Sequence, residues 1–417
     1  MTIADRWLLP DGMEEILPPK ARQMEALRRR LLDLFHAWGY DMVMPPPVEF
    51  LESLLTGAGH DLELQTFKVT DQLSGRTMGV SADVTPQVAR MDAHSVPRSG
   101  AARFCYCHPV LRTRADNSMG SRAPVQIGAE LFGHAGVASD LEILNLMVST
   151  LQQSGADELY LDLGHVGLYR GLVDAAGLST EQEQQLFDAI QHKRFADIAP
   201  CVTGVESAVV REMLMALPHL SGGVEVLEQA RQVLAAAPAG VREALSELTE
   251  VAHALQRCHP EITLYLDLSE LRGYHYHTGM VFAAYVPGLG QALAKGGRYD
   301  EIGSVFGRAR PATGFSTDLK LLAELNGYQP SMPGILAPVE ALTDPDCAQE
   351  VARLRAMGER VMIALPEYRV ETHQFETHRV ESGQGAHQAP TYDRRLLKVE
   401  DQWQVVSAGQ STDSFSD

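Results

Sequence analysis

The chain has 417 residues, of which 45% are hydrophobic and 21% charged. That length carries a full hydrophobic core and predicts two or three domains at roughly 150 residues each, while the composition excludes a disordered or collagen-like architecture for the bulk of the chain. With 35 Lys and Arg against 54 Asp and Glu, the net charge of −19 repels nucleic acid and acidic membrane surfaces at long range.

Five cysteines, odd in number and irregularly spaced, fit a reducing compartment rather than a disulfide framework. No apolar run approaches the roughly 18 residues of a membrane span. The opening MTIADRWLLPDGMEEILPPKA is acidic and proline-punctuated, unlike a signal peptide. The expected location is therefore the cytoplasm.

In chain order, residues 20–38 predict an amphipathic helix, with Met24, Leu27, Leu31, Leu34, Phe35 and Trp38 at helical spacing and Gly39 as its stop. YDMVMPPPVEF follows as a short β-type run, and Pro45 to Pro47 belong at an edge or strand end. Residues 65–81 predict a hairpin turning at Ser74-Gly75, and TPQVARMDAH predicts a helix with Pro86 in its first turn. Two strands, RFCYCHPVLRTR and APVQIGAELFG, come next. Ser139 with Glu142 predicts a capping box that opens a helix bearing Ile143, Leu144, Met147 and Leu151.

From about 168 to 257 Leu, Ala, Gln and Glu dominate, which predicts an all-helical insertion, with a second capping box at Ser179 to Gln182. Strand character returns at ITLYLDL, YHYHTGMVFAAYV and QALAKGGRYD, before a helix with Leu319, Leu322 and Leu325. Residues 326–417 predict a small α/β domain: strand, helix, strand, a polar loop over 371–390, a final hairpin and a disordered tail.

Several clusters carry chemistry. Cys105 and Cys107 face one side if extended, but structural zinc needs four ligands at wider spacing, so buried free thiols are the better reading and no metal is expected. Gly288 and Gly290 make no dinucleotide fingerprint. In Gly296-Gly297-Arg298-Tyr299-Asp300 the glycines permit close approach, while Arg298 and Tyr299 offer an anion contact and a phenol. In RGYHYHTG an extended backbone would put Tyr274, Tyr276 and Thr278 on one face and His275 and His277 on the other. Asp83, Thr85, Gln126 and Glu130 supply carboxylates and neutral polar groups that suit an amino group or an imidazole N–H.

In this order the segments resemble a class II aminoacyl-tRNA synthetase core of the histidyl-tRNA synthetase type over about residues 5–325. YDMVMPPPVEF, with Pro46, is similar to the family's first motif at the dimer interface. Arg112 in PVLRTR resembles the second-motif arginine, and LRGYHYHTG and GGRYD resemble the two histidine-specific signatures. The resemblance implies an α+β fold: an antiparallel sheet flanked by helices, in a 1–325 domain. It also implies a histidine site in which Glu130, Asp83 and Thr85 hold the α-amino group. Gln126, Arg112 and Arg272 would take the carboxylate side, and Tyr276, His277 and Tyr299 the imidazole.

The departures are specific. Arg114 stands where the family's second motif has Glu, and Leu321 stands where its third motif has the ATP-binding arginine. A C-terminal domain ending in DRRLLKVEDQWQVV, the opening RWLLPDGMEEILPP, and ADVTPQVARMDAH are instead similar to the ATP phosphoribosyltransferase regulatory subunit family. That resemblance implies a non-catalytic subunit of the first enzyme of histidine biosynthesis, which activates it and makes it sensitive to L-histidine. Implied partners are the short-form catalytic subunit and a second copy of this chain, as a homodimer within a hetero-octamer. No cofactor, tRNA or membrane is implied. The alternative is a catalytically active, histidyl-tRNA synthetase-like amino-acid-activating enzyme.

Overall fold

The computed structural model describes residues 8–55, 60–96, 99–115, 120–274, 276–325, 334–365 and 392–407. The predicted loop 371–390 and the tail beyond 408 lie outside the described residues. The chain divides into two units, Met1–Tyr328 and Gln329–Asp417.

The first unit opens with α1 (Lys20–Ala37), which buries Leu27, Leu31 and Phe35 at i, i+4, i+8. Each such side chain stabilises by roughly 1.5–3 kcal/mol on burial. Strand β1 (Asp41–Met42) precedes the three prolines, and β2 (Val48–Phe50) follows them. After α2 (Leu51–Leu55) and α3 (His60–Gln65), the predicted hairpin is β3 (Lys68–Thr70) with β4 (Thr77–Val80), and β2 completes its small sheet in the order β2-β4-β3. Helix α4 (Thr85–Arg90) runs into a π-helical turn, Met91–Ser95. Strands β5 (Ala102–Pro109) and β6 (Val125–Phe132) pair antiparallel.

Helix α5 (Val137–Gln153) carries the expected buried stripe but starts before Ser139, on Gly136 and without a side-chain cap. The predicted capping box is therefore not formed. Ser139 Oγ donates to the Gly136 carbonyl and accepts from Arg298, while Glu142 is taken by Arg103 and the Tyr40 hydroxyl. Charge-assisted bonds to arginine outcompete a cap.

Strand β7 (Tyr160–His165) leads into α6 (Val166–Ala176), α7 (Thr180–Gln191), α8 (Ile198–Val202), α9 (Ala208–Ala216), β8 (Ser221–Gly222), α10 (Val226–Val233) and α11 (Ala239–Cys258). The Ser179–Gln182 capping box on α7 is present. The segment is not all-helical, because Ser221 and Gly222 pair with β9 (Thr263–Asp267). A strand of two residues has no alternation to read. The helices also share one core with the sheet, through Tyr169, Leu172 and Leu248 beside Leu163 and Val281.

Strands β10 (Met280–Tyr285), β11 (Ala294–Arg298) and β12 (Ala312–Asp318) and helix α12 (Leu319–Leu325) complete the unit. The nine-stranded sheet runs β1-β5-β6-β12-β11-β10-β7-β9-β8. Its six strands from β5 to β7 each run antiparallel to their neighbours in that stretch. Helices α1 and α5 cover one face, where Phe35 meets Phe315 edge-on at 6.2 Å between centroids. The opposite face carries the site.

The second unit contains β13 (Ile335–Ala337), α13 (Pro345–Ala356), β14 (Val361–Ile363), β15 (Arg394–Val399) and β16 (Gln402–Ser407), with its sheet ordered β14-β13-β15-β16. Asp344 caps α13 by accepting from the Asp346 and Cys347 amides. Ile335, Ala337, Val351, Leu354 and Leu396 form its core. Among the described residues no helix is long and apolar enough to cross a membrane.

Candidate functional site

Strand alternation places Gln126 and Glu130 of β6 on the face away from α1. In register beside Glu130 lie Phe104 of β5 and Gly314 of β12, and Gly314 in turn pairs with Gly297 of β11. Both glycines are spatial requirements. A Cβ on Gly314 would lie 1.6 Å from Glu130 Oε2, and one on Gly297 would lie 2.5 Å from the His277 ring. The sheet is thus bare where Glu130 and His277 lean across it.

Over this floor opens a cavity of about 840 Å³ lined by Asp83, Thr85, Arg112, Gln126, Glu130, Tyr276, His277 and Tyr299, among others. The structure therefore brings together eight of the nine residues predicted from the sequence. The ninth, Arg272, does not line it. Its guanidinium binds Glu270 at 2.6 Å, the Tyr285 hydroxyl at 2.6 Å and Asp162 at 3.2 Å, beside a smaller adjoining cavity. Two carboxylates within reach hold the cation where it is.

Glu130 is 1% exposed. Tyr106 Oη donates to one carboxylate oxygen at 3.1 Å and Tyr299 Oη donates to the other. Burial nevertheless pushes the carboxyl up to about 8, against the hydrogen bonds from Tyr299 and Thr85, with the nearby Asp83 charge adding to the rise. Asp83 Oδ1 accepts from the Thr85 amide at 3.0 Å and from Gln126 Nε2 at 2.9 Å. Gln126 Oε1 in turn accepts from the Val84 amide at 2.9 Å. Gln126 is thereby a clamp that fixes the 83–85 turn onto β6.

The other end of the cavity is made of rings. Tyr276 stacks on Tyr299 with centroids 5.1 Å apart, and His277 meets Tyr276 edge-on at 5.2 Å. Burial pulls the His277 imidazole down to about 4, so it is neutral at pH 7. The buried Tyr276 hydroxyl has no hydrogen-bond partner among the described residues. A buried polar atom without a partner costs about 1–3 kcal/mol, which a ligand contact can recover. Arg112, Arg114 and Lys295 line the cavity as cations, and Arg112 Nε donates to the Ala82 carbonyl at 3.2 Å.

Two local readings change. RGYHYHTG is not extended: the Tyr276 and His277 amides both donate to the Gly273 carbonyl at 2.8 Å, which closes a tight turn before β10 begins. Arg298 offers no anion contact, since it is buried against Asp140, Ser139 and the His134 and Gly136 carbonyls. It ties β11 to the start of α5. Cys105 is a buried free thiol and Cys107 a half-buried one, and among the described residues no cluster of His, Cys, Asp and Glu could hold a metal. Tyr106 was missed. Alternation along β5 puts it on the Glu130 face and both cysteines on the core face, a signal the cysteine pair obscured.

Residues 12–322 match the histidyl-tRNA synthetase family, and residues 332–406 match the ATP phosphoribosyltransferase subunit HisZ C-terminal domain. An ATP phosphoribosyltransferase regulatory subunit of Chromohalobacter salexigens is 62% identical over 89% of this chain and 94% of its own length. The chain belongs to the ATP phosphoribosyltransferase regulatory subunit family. A crystal structure of an ATP phosphoribosyltransferase regulatory subunit/histidyl-tRNA synthetase from Bacillus halodurans is similar at 30% identity, with a TM-score of 0.74 over 86% of this chain and 92% of that one. A chain of an ATP phosphoribosyl transferase (HisG:HisZ) complex from Thermotoga maritima shares the fold at 17% identity, with a TM-score of 0.55 over 70% of this chain and 96% of that one.

Family membership bears on a second, smaller cavity of about 150 Å³, which shares Arg112, Gln126, Lys295 and Ser316 with the first. Leu321 of α12 lines it, at the position expected to carry an arginine in an adenylating relative. Lys320, the neighbouring cation, points elsewhere and pairs with Glu14 at 3.4 Å.

Proposed function

We propose that this chain, as the regulatory subunit of ATP phosphoribosyltransferase, binds L-histidine in the cavity above β6 and there sets the activity of the catalytic subunit. The observation that carries the histidine assignment is Glu130. It is a carboxyl group sealed from water, held by two tyrosine hydroxyls and, among the described residues, paired with no cation, with Asp83 close by. A ligand ammonium supplies the missing charge. Arg112 faces the ligand carboxylate, and Tyr276 with neutral His277 faces the imidazole. Tyr299 and Gln126 act one step back: Tyr299 holds Glu130, and Gln126 holds the 83–85 turn. Arg272 acts from outside the cavity.

The chain is not the catalytic subunit. Leu321 in the neighbouring cavity and Arg114 in the main one stand where adenylation would use an arginine and a glutamate, and a lost contact to transition-state charge costs about 2.7–4 kcal/mol. The partner is the short-form catalytic subunit, assembled with dimers of this chain in a hetero-octamer in the cytoplasm. Histidine inhibits because it binds one state of that assembly better than the other, and only that difference can shift the equilibrium.

The test is phosphoribosyl-ATP formation by the catalytic subunit from the same source, with and without this chain, followed by titration with histidine. Activation that histidine reverses is the expected result. No activation, together with histidine-dependent pyrophosphate exchange by this chain alone, would overturn it.

A further inference from the structure

The turn that carries Tyr276 and His277 is held from outside the cavity. Gly273 starts it at φ +62°, and a Cβ there would lie 2.4 Å from His277 Nδ1, so the imidazole rests directly on the turn. The backbone then sends alternate rings in different directions. Tyr276 enters the cavity. Tyr274 leaves it, 8% exposed, and inserts between Tyr169 of α6 and Phe187 of α7, at 5.3 and 5.4 Å between centroids. Arg170 of α6 closes the arrangement. Its Nη2 donates to the Tyr274 carbonyl and to the His277 carbonyl, both at 3.1 Å, and its guanidinium lies 5.0 Å over the Tyr274 ring. The two carbonyls bracket Tyr276. A single planar cation thus fixes the span of backbone from which the imidazole-facing residues project. The acidic end is built separately, on β5, β6 and the 83–85 turn.

We propose that Arg170 is a positioning residue for the imidazole end of the effector site, so that helices α6 and α7 belong to histidine recognition although Arg170 does not line the cavity. The proposal rests on the histidine reading above and gives it a division of labour. Glu130 and Asp83 set affinity for any α-amino acid, and Arg170 sets discrimination at the ring. Lysine at this position has one ammonium, which can reach one carbonyl or share itself between both. Methionine keeps the apolar stem and donates nothing.

The experiment is calorimetry on the full chain with L-histidine and with Nτ-methyl-L-histidine, for the wild type, Arg170→Met and Arg170→Lys. The wild type should prefer L-histidine. Arg170→Met should bind L-histidine about tenfold more weakly, the loss expected for charge-assisted bonds to a ligand-bearing turn. Its preference over the methylated ring should also fall several-fold, and Arg170→Lys should restore most of that preference. If Arg170→Met, or the equally donor-free Arg170→Leu where the methionine variant does not fold, binds both ligands as the wild type does, the proposal fails. It fails equally if both ligands weaken by the same factor, since a general loss of stability would do that. Wild type that binds no histidine would instead remove the effector reading itself, and the proposal with it.

Discussion

The two neighbouring cavities share Arg112, Gln126, Lys295 and Ser316, yet they are finished differently. Around Glu130 nearly every polar atom is accounted for: two tyrosines hold the carboxylate, Gln126 bonds to both Asp83 and the Val84 amide, and glycines clear the sheet beneath. Around Leu321 an apolar side chain occupies the position where adenylation would need a fixed cation, and Lys320 is turned away to Glu14. On the proposed reading, the first cavity is a built amino-acid pocket and the second a disarmed nucleotide pocket, the pairing a sensor would require. Such a sensor would keep the binding and lose the reaction that consumes the ligand.

The largest effect should come from the centre of the built cavity. Replacing Glu130 by Ala removes the charge that answers the ligand ammonium. Truncating one partner of a buried charge pair costs about 2–5 kcal/mol, or roughly 30- to 5,000-fold in affinity. Calorimetry with L-histidine checks this, and an unchanged affinity would end the placement of the amino group. Gly314→Ala should come close to it without removing any polar group, because its Cβ must displace the Glu130 carboxylate. A normal thermal melt combined with lost binding would separate that displacement from misfolding.

Arg112→Met should have a smaller effect, about tenfold on histidine affinity, since on the proposed reading Arg112 supplies one charge-assisted contact to the ligand carboxylate. The same variant sharpens the comparison between the cavities. If the nucleotide side is disarmed, ATP should neither bind nor alter histidine affinity in the wild type, so Arg112→Met should leave the response to ATP at zero. Tight ATP binding by the wild type would show that Leu321 disarms nothing.

Much of this was legible beforehand because it was periodic or local. The stripes of α1 and α5, the β3–β4 hairpin, and the β6 spacing that puts Gln126 and Glu130 on one face all follow from alternation or helical repeat. What escaped depended on partners far away in sequence. Ser139 and Glu142 have the spacing of a cap, but Arg298 and Arg103 claim them. Arg272 sits in a ligand-like motif, but Asp162, from the strand 110 residues earlier, helps hold it outside the cavity. The RGYHYHTG turn is set by Gly273 and by Arg170, and neither alternation nor composition reports a backbone carbonyl waiting for a distant arginine.

The smallest effect belongs to Tyr106→Phe, and pH makes it readable. Burial raises the Glu130 carboxyl from its ordinary 4.5 to about 8, so at neutral pH it largely carries a proton. A group raised in this way favours the folded state fully below pH 4.5, and that contribution is lost as pH rises toward 8. Histidine reverses the preference, because its ammonium needs the ionised form. Binding should therefore release a proton, and affinity should climb with pH up to about 8, by at most tenfold per unit. Calorimetry in buffers of different ionisation enthalpy reads that proton directly. Tyr106 donates to Oε1 and so favours the carboxylate. Phenylalanine keeps the ring in its packed place and removes the hydroxyl, with its bond to Glu130 and its contact to Thr85 Oγ1 at 3.4 Å. The climb should shift to higher pH, and affinity at pH 7 should fall by about threefold to tenfold, while the plateau above the shifted midpoint changes less. A variant whose affinity falls equally at every pH would mean that Tyr106 shapes the cavity rather than the charge on Glu130.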